Sequence, residues 1–340
     1  SRSTMPPVSL ISDATFAIEV SDLESSEAVT WIAKRVRKAL SGPFRVKDQD
    51  VKINCTIGIS MYPDDAQDAE TLMANAQTAR RHCGEALGVG EFAFYSEKMN
   101  EEARLLLMID TNLRQSIDDR NFACAYQPIV NIESGEICSI EALFRSSDEI
   151  LKNMPVQLVI EAAERSGLIV ELGERLLRQS TEQMSDWIKS GFSDSRLSLN
   201  LSPIQLRDRE ASERITQIVS NLRFPPRLLQ FEITETAFIE DIGVVRERLQ
   251  RLQGFGVQIA LDDFGTGHSA LSHLREFRPD TIKIDSSFIT NIYRSYTDST
   301  LVSAITVMAR QMGIEVVAEG VETQEQLERL KQLKCNAYQG

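Results

Sequence analysis

Short apolar runs that end in an acid, an amide or a lysine recur through the last two thirds of the chain. Seven stand out: SIEALFR (Ser139 to Arg145), RLSLNLS (Arg196 to Ser202), LLQFEITE (Leu228 to Glu235), VQIALDDFG (Val257 to Gly265), TIKID (Thr281 to Asp285), EVVAEGVE (Glu315 to Glu322) and NAYQG (Asn336 to Gly340). Each reads as a strand with its polar residue at or near the C-terminal end. Helical periodicity fills most of the intervals, the alternation that predicts a parallel sheet with helical crossovers. Among those helices, Pro155 to Ser166 opens on a proline suited to a first turn, and Leu172 to Ser190 stops before Gly191. FACAYQPIVN (Phe122 to Asn131) lies upstream of the first run, and the ESGE between them is too short for a helical crossover. That pair predicts a hairpin. The expected fold is α/β: a modified (β/α)8 TIM-like barrel with its first strand antiparallel.

Before the barrel, residues 1–98 predict a small α/β unit. VSLISDATFAIEV reads as a strand pair turning at Ser12 to Thr15, Glu27 to Leu40 as a helix, Val51 to Tyr62 as one alternating strand, Asp68 to Ala86 as a second helix and EFAFYS as a closing strand. Glu101 to Asp119 carries Leu105, Leu106, Met108, Ile109, Leu113 and Ile117 at helical spacing, which predicts a connecting helix with one buried face. The expected division is 1–98, a connector over 99–120, and 121–340.

Composition narrows the partners. At 340 residues and 42% hydrophobic, the chain is long and apolar enough for two cores. Its net charge of −13 argues against a nucleic-acid duplex or an acidic membrane as a general electrostatic partner. Five scattered cysteines without CxxC spacing suit reduced thiols in the cytoplasm. No apolar run approaches the ~20 residues of a membrane span. The opening SRSTMPP and the stop at Gly340 after a strand-like run read as a piece of a longer protein, whose other parts could anchor it to a membrane.

In an α/β barrel the C-terminal rim of the strands is where active sites are built. The residues that would converge there are Glu141, Asn200, Glu232, Asp262, Asp263, Lys283, Glu319 and Gln339. One such residue alone would be an ordinary solvated rim group. Acids and amides on successive strands are a different matter, because five carboxylates cannot share a pocket ionised without cations between them. Hard oxygen donors unaccompanied by His or Cys suit Mg²⁺ or Mn²⁺. Lys283 could simply neutralise the cluster, which would leave a metal site in place. His268 and His273 lie in a loop and are read as structural, Asp285 and Thr234 as hydrogen-bonding groups, and Asp13 as a turn residue.

The motifs YQPIV (Tyr126 to Val130), EALFR (Glu141 to Arg145), NLSPIQL (Asn200 to Leu206), EITET (Glu232 to Thr236), DDFGTGHSAL (Asp262 to Leu271), KID (Lys283 to Asp285), AEGVET (Ala318 to Thr323) and YQG (Tyr338 to Gly340) occur in this order. Over Tyr126 to Gly340 the chain resembles the EAL phosphodiesterases, which cleave cyclic di-GMP to linear pGpG. The resemblance implies two Mg²⁺ or Mn²⁺ ions: Glu141, Asn200, Glu232 and Asp262 hold one, and Asp262, Asp263 and Glu319 serve the second or its water. It implies Glu319 as general base or orienter of the nucleophile, Lys283 as the charge facing the attacking water or the phosphoryl group, and Gln339 as a hydrogen-bonding assistant. Gln127 and Arg145 would contact guanine and phosphate. Glu235 and Glu322 would support the ligands from behind, and Gly265 and Gly267 would give freedom to a loop that in the family also makes homodimer contacts.

The first unit resembles the C-terminal half of a GGDEF domain, through FAIEV, TIGISMYP and DAETLMANAQTA. The signature has decayed: Ser12, Asp13, Ala14, Thr15 and Phe16 stand in its place. Gly84 stands where a late-helix lysine is usual, and of the inhibitory RxxD site only Arg2 remains, with Met5 in the acid's position. The resemblance therefore implies a module without cyclase activity, for which GTP is a candidate effector. The competing function is a receptor that binds cyclic di-GMP uncut and signals through the connecting helix. Such receptors in this family have typically lost metal ligands, which are retained here.

Overall fold

A computed structural model describes residues 7–340 except 13, 22–25, 47–48, 54, 87–90, 193–194, 209, 239–241, 266–273 and 275–276. The chain divides into two compact units, Ser1–Leu107 and Met108–Gly340. Arg2, Met5, Asp13, Gly267, His268 and His273 lie outside the described residues.

In the first unit, β1 (Val8–Ser12) pairs antiparallel with β2 (Thr15–Ile18), with Ser12 opposite Thr15. Helix α1 spans Ser26–Leu40. The single strand expected over Val51 to Tyr62 is instead two. β4 (Gln49–Lys52) pairs with β3 (Pro43–Val46) in a hairpin, whereas β5 (Ile57–Ile59) pairs in parallel with β6 (Phe92–Phe94) across α2 (Ala69–Ala86). Alternation reports which face of a segment is apolar; it is silent on where the segment changes partner. β5 approaches α2 so closely that a Cβ at Gly58 would lie 2.0 Å from the Ala76 carbonyl oxygen, which only glycine permits. Asp68 caps α2, its Oδ1 accepting from the Thr71 amide at 2.8 Å.

Helix α3 (Glu97–Asp118) starts earlier than expected and buries Ile109, Leu113 and Ile117. The second unit is a closed barrel. In chain order its strands are β7 (Phe122–Asn131), β8 (Ile137–Ser146), β9 (Arg196–Asn200), β10 (Leu229–Thr234), β11 (Gln258–Phe264), β12 (Thr281–Ile284), β13 (Glu315–Ala318) and β14 (Ala337–Tyr338), and β14 closes on β7. β7 runs antiparallel to both neighbours and all other pairs are parallel. Helices α4 (Val156–Ser166) and α5 (Ile169–Lys189) connect β8 to β9. Pro155 serves as the N-cap of α4 and Gly167, left-handed at φ 77°, ends it.

Alternation along these strands sorts the core. Outward-facing Ile140, Leu197, Leu199, Phe231, Ile233, Ile259, Leu261, Ile282, Ile284 and Val316 belong to one large apolar cluster beneath the helices. The inward positions are mostly polar. At the N-terminal end of the strands Arg196 crosses the barrel to Glu315 (2.5 Å) and Gln258 (2.8 Å). Above them Ile129, Val317 and Ala337 form a small apolar plug, leaving the C-terminal ends to the acids. Among the described residues, no helix is long and apolar enough to cross a membrane.

Candidate active site

Two residues further along each inward face, the side chains meet around Lys283. Its Nζ lies 2.5 Å from Glu232 Oε2, 2.7 Å from Glu319 Oε1, 3.3 Å from Asp262 Oδ1 and 3.4 Å from Glu141 Oε2. Lys283 and Glu232 are each 1% exposed. Glu141 accepts from Gln339 Nε2 at 2.7 Å and from Asn200 Nδ2 at 2.8 Å. The Ser198 hydroxyl donates to the other oxygen of Glu232. Six predicted strand-end residues, Glu141, Asn200, Glu232, Asp262, Glu319 and Gln339, thus join Lys283 in one polar ring.

Asp263 reaches the ring by a backbone device. Successive residues of a regular strand point to opposite faces, so Asp262 and Asp263 should diverge. Asp263 instead adopts a left-handed φ of 53°, at a break in the β11–β12 register between Leu261 and Phe264. Aspartate is among the few side chains that tolerate this region. Carboxylate oxygens of Asp262, Asp263 and Glu319 consequently lie within 4.8 Å of one another. Gly265 follows with φ 102°, and a Cβ there would approach the Phe288 ring at 3.0 Å. Position 265 is therefore restricted to glycine both by conformation and by space.

Electrostatics follow from this crowding. Burial alone would lower the Lys283 pKa, but its carboxylate neighbours Glu232, Asp262, Glu141 and Glu319 outweigh it and hold the ammonium charged. One lysine cannot neutralise every acid. Complete burial, with repulsion from Glu141 and Asp262, pushes Glu232 up to about 8 against the pull of Lys283. Burial likewise pushes Glu319 up to about 7, with Asp262 adding to it. Asp263 is raised by burial and then by Asp262 and Asp285. Glu141 goes the other way: burial raises it, but Lys283 and the hydrogen bonds from Gln339 and Asn200 prevail.

The remaining predicted residues are placed around the ring. Gln127 lies opposite Glu141 in the β7–β8 ladder. Arg145, four pairs further along the β7–β8 ladder opposite Ala123, is exposed, and its guanidinium donates to the Phe144 carbonyl at 2.7 Å. Glu235 is buried at the start of the 3₁₀ turn that follows β10. Glu322 is exposed, and its backbone amide donates to Gln326 Oε1 at 2.8 Å. Ser198 was not anticipated. Its signal was available, since it sits two residues before Asn200 on the same inward face of RLSLN.

The sequence pattern of the EAL domain matches residues 110–340. The chain belongs to the EAL-domain family. The pattern of the diguanylate cyclase GGDEF domain matches residues 8–86. Over 325 residues the chain is 33% identical to the bifunctional diguanylate cyclase/cyclic di-GMP phosphodiesterase MucR of Pseudomonas aeruginosa, covering 96% of this chain and 47% of MucR. It is also 33% identical over 316 residues to the cyclic di-GMP phosphodiesterase PdeR of Escherichia coli, covering 93% of this chain and 47% of PdeR. The chain therefore spans about half the length of these curated relatives. A solved structure of the MucR phosphodiesterase in complex with cyclic di-GMP superposes with a TM-score of 0.65 at 33% identity, covering 68% of this chain and 94% of that one. The EAL barrel expected from the strand-end motifs, with its antiparallel first strand, is the barrel observed.

Proposed function

We propose that the EAL barrel of this chain hydrolyses cyclic di-GMP to linear pGpG using divalent metal held by the acid ring, and that the GGDEF-like unit makes no cyclic di-GMP. The observation that carries the reading is the ring itself, five carboxylates gathered at a barrel rim around one buried lysine. The activities named for MucR and PdeR, and the ligand of the solved MucR phosphodiesterase, supply the substrate.

The donor set fits Mg²⁺ or Mn²⁺. It consists of hard oxygens, its negative charge exceeds what Lys283 offsets, and buried Gln339 Oε1 has no hydrogen-bond partner among the described residues. Glu141, Asn200, Glu232 and Asp262 would hold one ion, and Asp262, Asp263 and Glu319 a second. When bound, such ions supply an activated water and neutralise charge on the phosphoryl oxygens. The chain's own groups do the rest. Glu319, raised to about 7, is matched to accepting a proton near neutral pH. Lys283 carries its charge in a dry site, where it would stabilise the negative charge that grows on the phosphoryl oxygens. Gln339 orients Glu141, while Gln127 and Arg145 meet guanine and phosphate at the rim, the arginine through its planar fork.

Hydrolysis is expected to require Mg²⁺ or Mn²⁺, to stop on chelation, and to be poorly supported by Ca²⁺, whose coordination is larger and looser. Activity that persists after exhaustive metal removal would overturn the metal assignment. A pH dependence follows from the raised acids. Below pH 7 Glu232 and Glu319 retain protons that a metal must displace, so Mn²⁺ affinity should rise as pH climbs through about 7 to 8. Calorimetry in two buffers of different ionisation enthalpy should register the released protons; an affinity flat across that range would count against it. Incubation with GTP should yield no cyclic di-GMP, because Ala14 and Thr15 offer no carboxylate for a metal. Product formed by a variant unable to cleave it would refute this.

A further inference from the structure

We propose that Lys283 is the resident cation of the metal-free ring, and that it must release Glu141 and Glu232 before metal can occupy their half of the site. The proposal rests on the metal-dependent reading above and concerns the order in which the site fills. The acids form two overlapping groups. In one, Glu141, Glu232, Asp262 and Glu319 all lie within 3.4 Å of the Lys283 ammonium. In the other, Asp262, Asp263 and Glu319 bring their oxygens within 4.8 Å of one another, and Lys283 touches only two of the three.

A cation can therefore join the second group while Lys283 stays where it is, sharing Asp262 and Glu319 with it. The first group is different. The ammonium lies 2.5 Å from Glu232 and in reach of Glu141, so a divalent ion bound by those oxygens would share its position with a like charge. Lysine suits such a role because its charge is compact and its stem flexible, which lets the ammonium withdraw without rebuilding the backbone. Without any cation the buried acids would be left uncompensated, the arrangement that most destabilises a folded interior. The ammonium thus keeps the ring assembled until metal replaces it.

The test titrates the whole chain with Mn²⁺ by calorimetry, beside thermal unfolding of the metal-free protein, for the parent, Lys283→Met and Lys283→Arg. In the parent, two binding events should differ in affinity by about tenfold or more, the weaker being the one that displaces the ammonium. Lys283→Met should tighten the weaker event by about tenfold or more, while lowering metal-free melting by roughly 5 °C or more. Lys283→Arg keeps the charge and should not tighten the weaker event. A residue that merely packed the barrel would lose stability on substitution without gaining metal affinity, so the opposite signs are diagnostic. If Lys283→Met does not fold without metal, Mn²⁺ must restore the fold; failure to do so overturns the proposal. Two Mn²⁺ ions binding the parent equally, with no tightening in Lys283→Met, would also overturn it and leave the metal-dependent reading standing. A parent that binds no Mn²⁺ at all would remove both.

Discussion

Glu319→Gln and Lys283→Ala are each expected to lower the turnover of cyclic di-GMP by about two orders of magnitude or more while the dinucleotide still binds within about tenfold. The separation has a physical origin. A base that takes up a proton, and a charge that meets developing negative charge, stabilise the transition state more than the bound substrate, which is already held by its guanines and phosphates. Both side chains sit inside the ring. Lys283 is almost wholly buried and Glu319 half-buried, with Nζ and Oε1 2.7 Å apart. Binding by calorimetry beside a single-turnover assay separates the two quantities. Turnover at the parent rate in both variants would show that these groups have been given the wrong chemical roles.

Glu141→Ala should behave differently in kind. Glu141 makes no proton transfer in the proposed reaction; its carboxylate is a donor for metal, oriented by Gln339 and Asn200 and held ionised by them and by Lys283. Removing it should lower metal-supported substrate affinity and turnover together, with loss of turnover on the order of a hundredfold or more. Excess metal should restore only part of the loss, because the truncated site lacks a donor that added ions cannot supply. Full recovery in excess Mn²⁺ would instead mean that Glu141 tunes affinity alone. Unchanged affinity with lost turnover would place it among the transition-state groups.

Much of this site was readable because the barrel repeats one rule. A strand whose inward face ends in an acid or amide puts that group at the shared rim, so EALFR, NLS, EITE, KID, AEG and YQG could each be placed from alternation alone. Ser198 and the Arg196–Glu315–Gln258 bridge obey the same alternation two and four residues earlier, inside the strands, where no terminal acid or amide marks them. Asp263 is the opposite case. Alternation would turn it away from Asp262, and only its left-handed backbone brings it back, a conformation that spacing does not announce. In the first unit the limit was different: Val51 to Tyr62 alternates continuously, yet it is divided between two partners, and a segment's own pattern carries no record of which edge it meets. The number of carboxylates facing Lys283 was likewise beyond the sequence, since it depends on the register of strands far apart in the chain.

The most direct test of the proposed reaction is a single-turnover experiment in which the purified chain, in excess over cyclic di-GMP, is mixed with Mn²⁺ and the nucleotides are separated over time. Stoichiometric conversion to linear pGpG, absent when metal is chelated, is the expected result. Cyclic di-GMP recovered bound and intact, with metal present and the fold unperturbed, would contradict hydrolysis and establish the chain as a receptor for the dinucleotide.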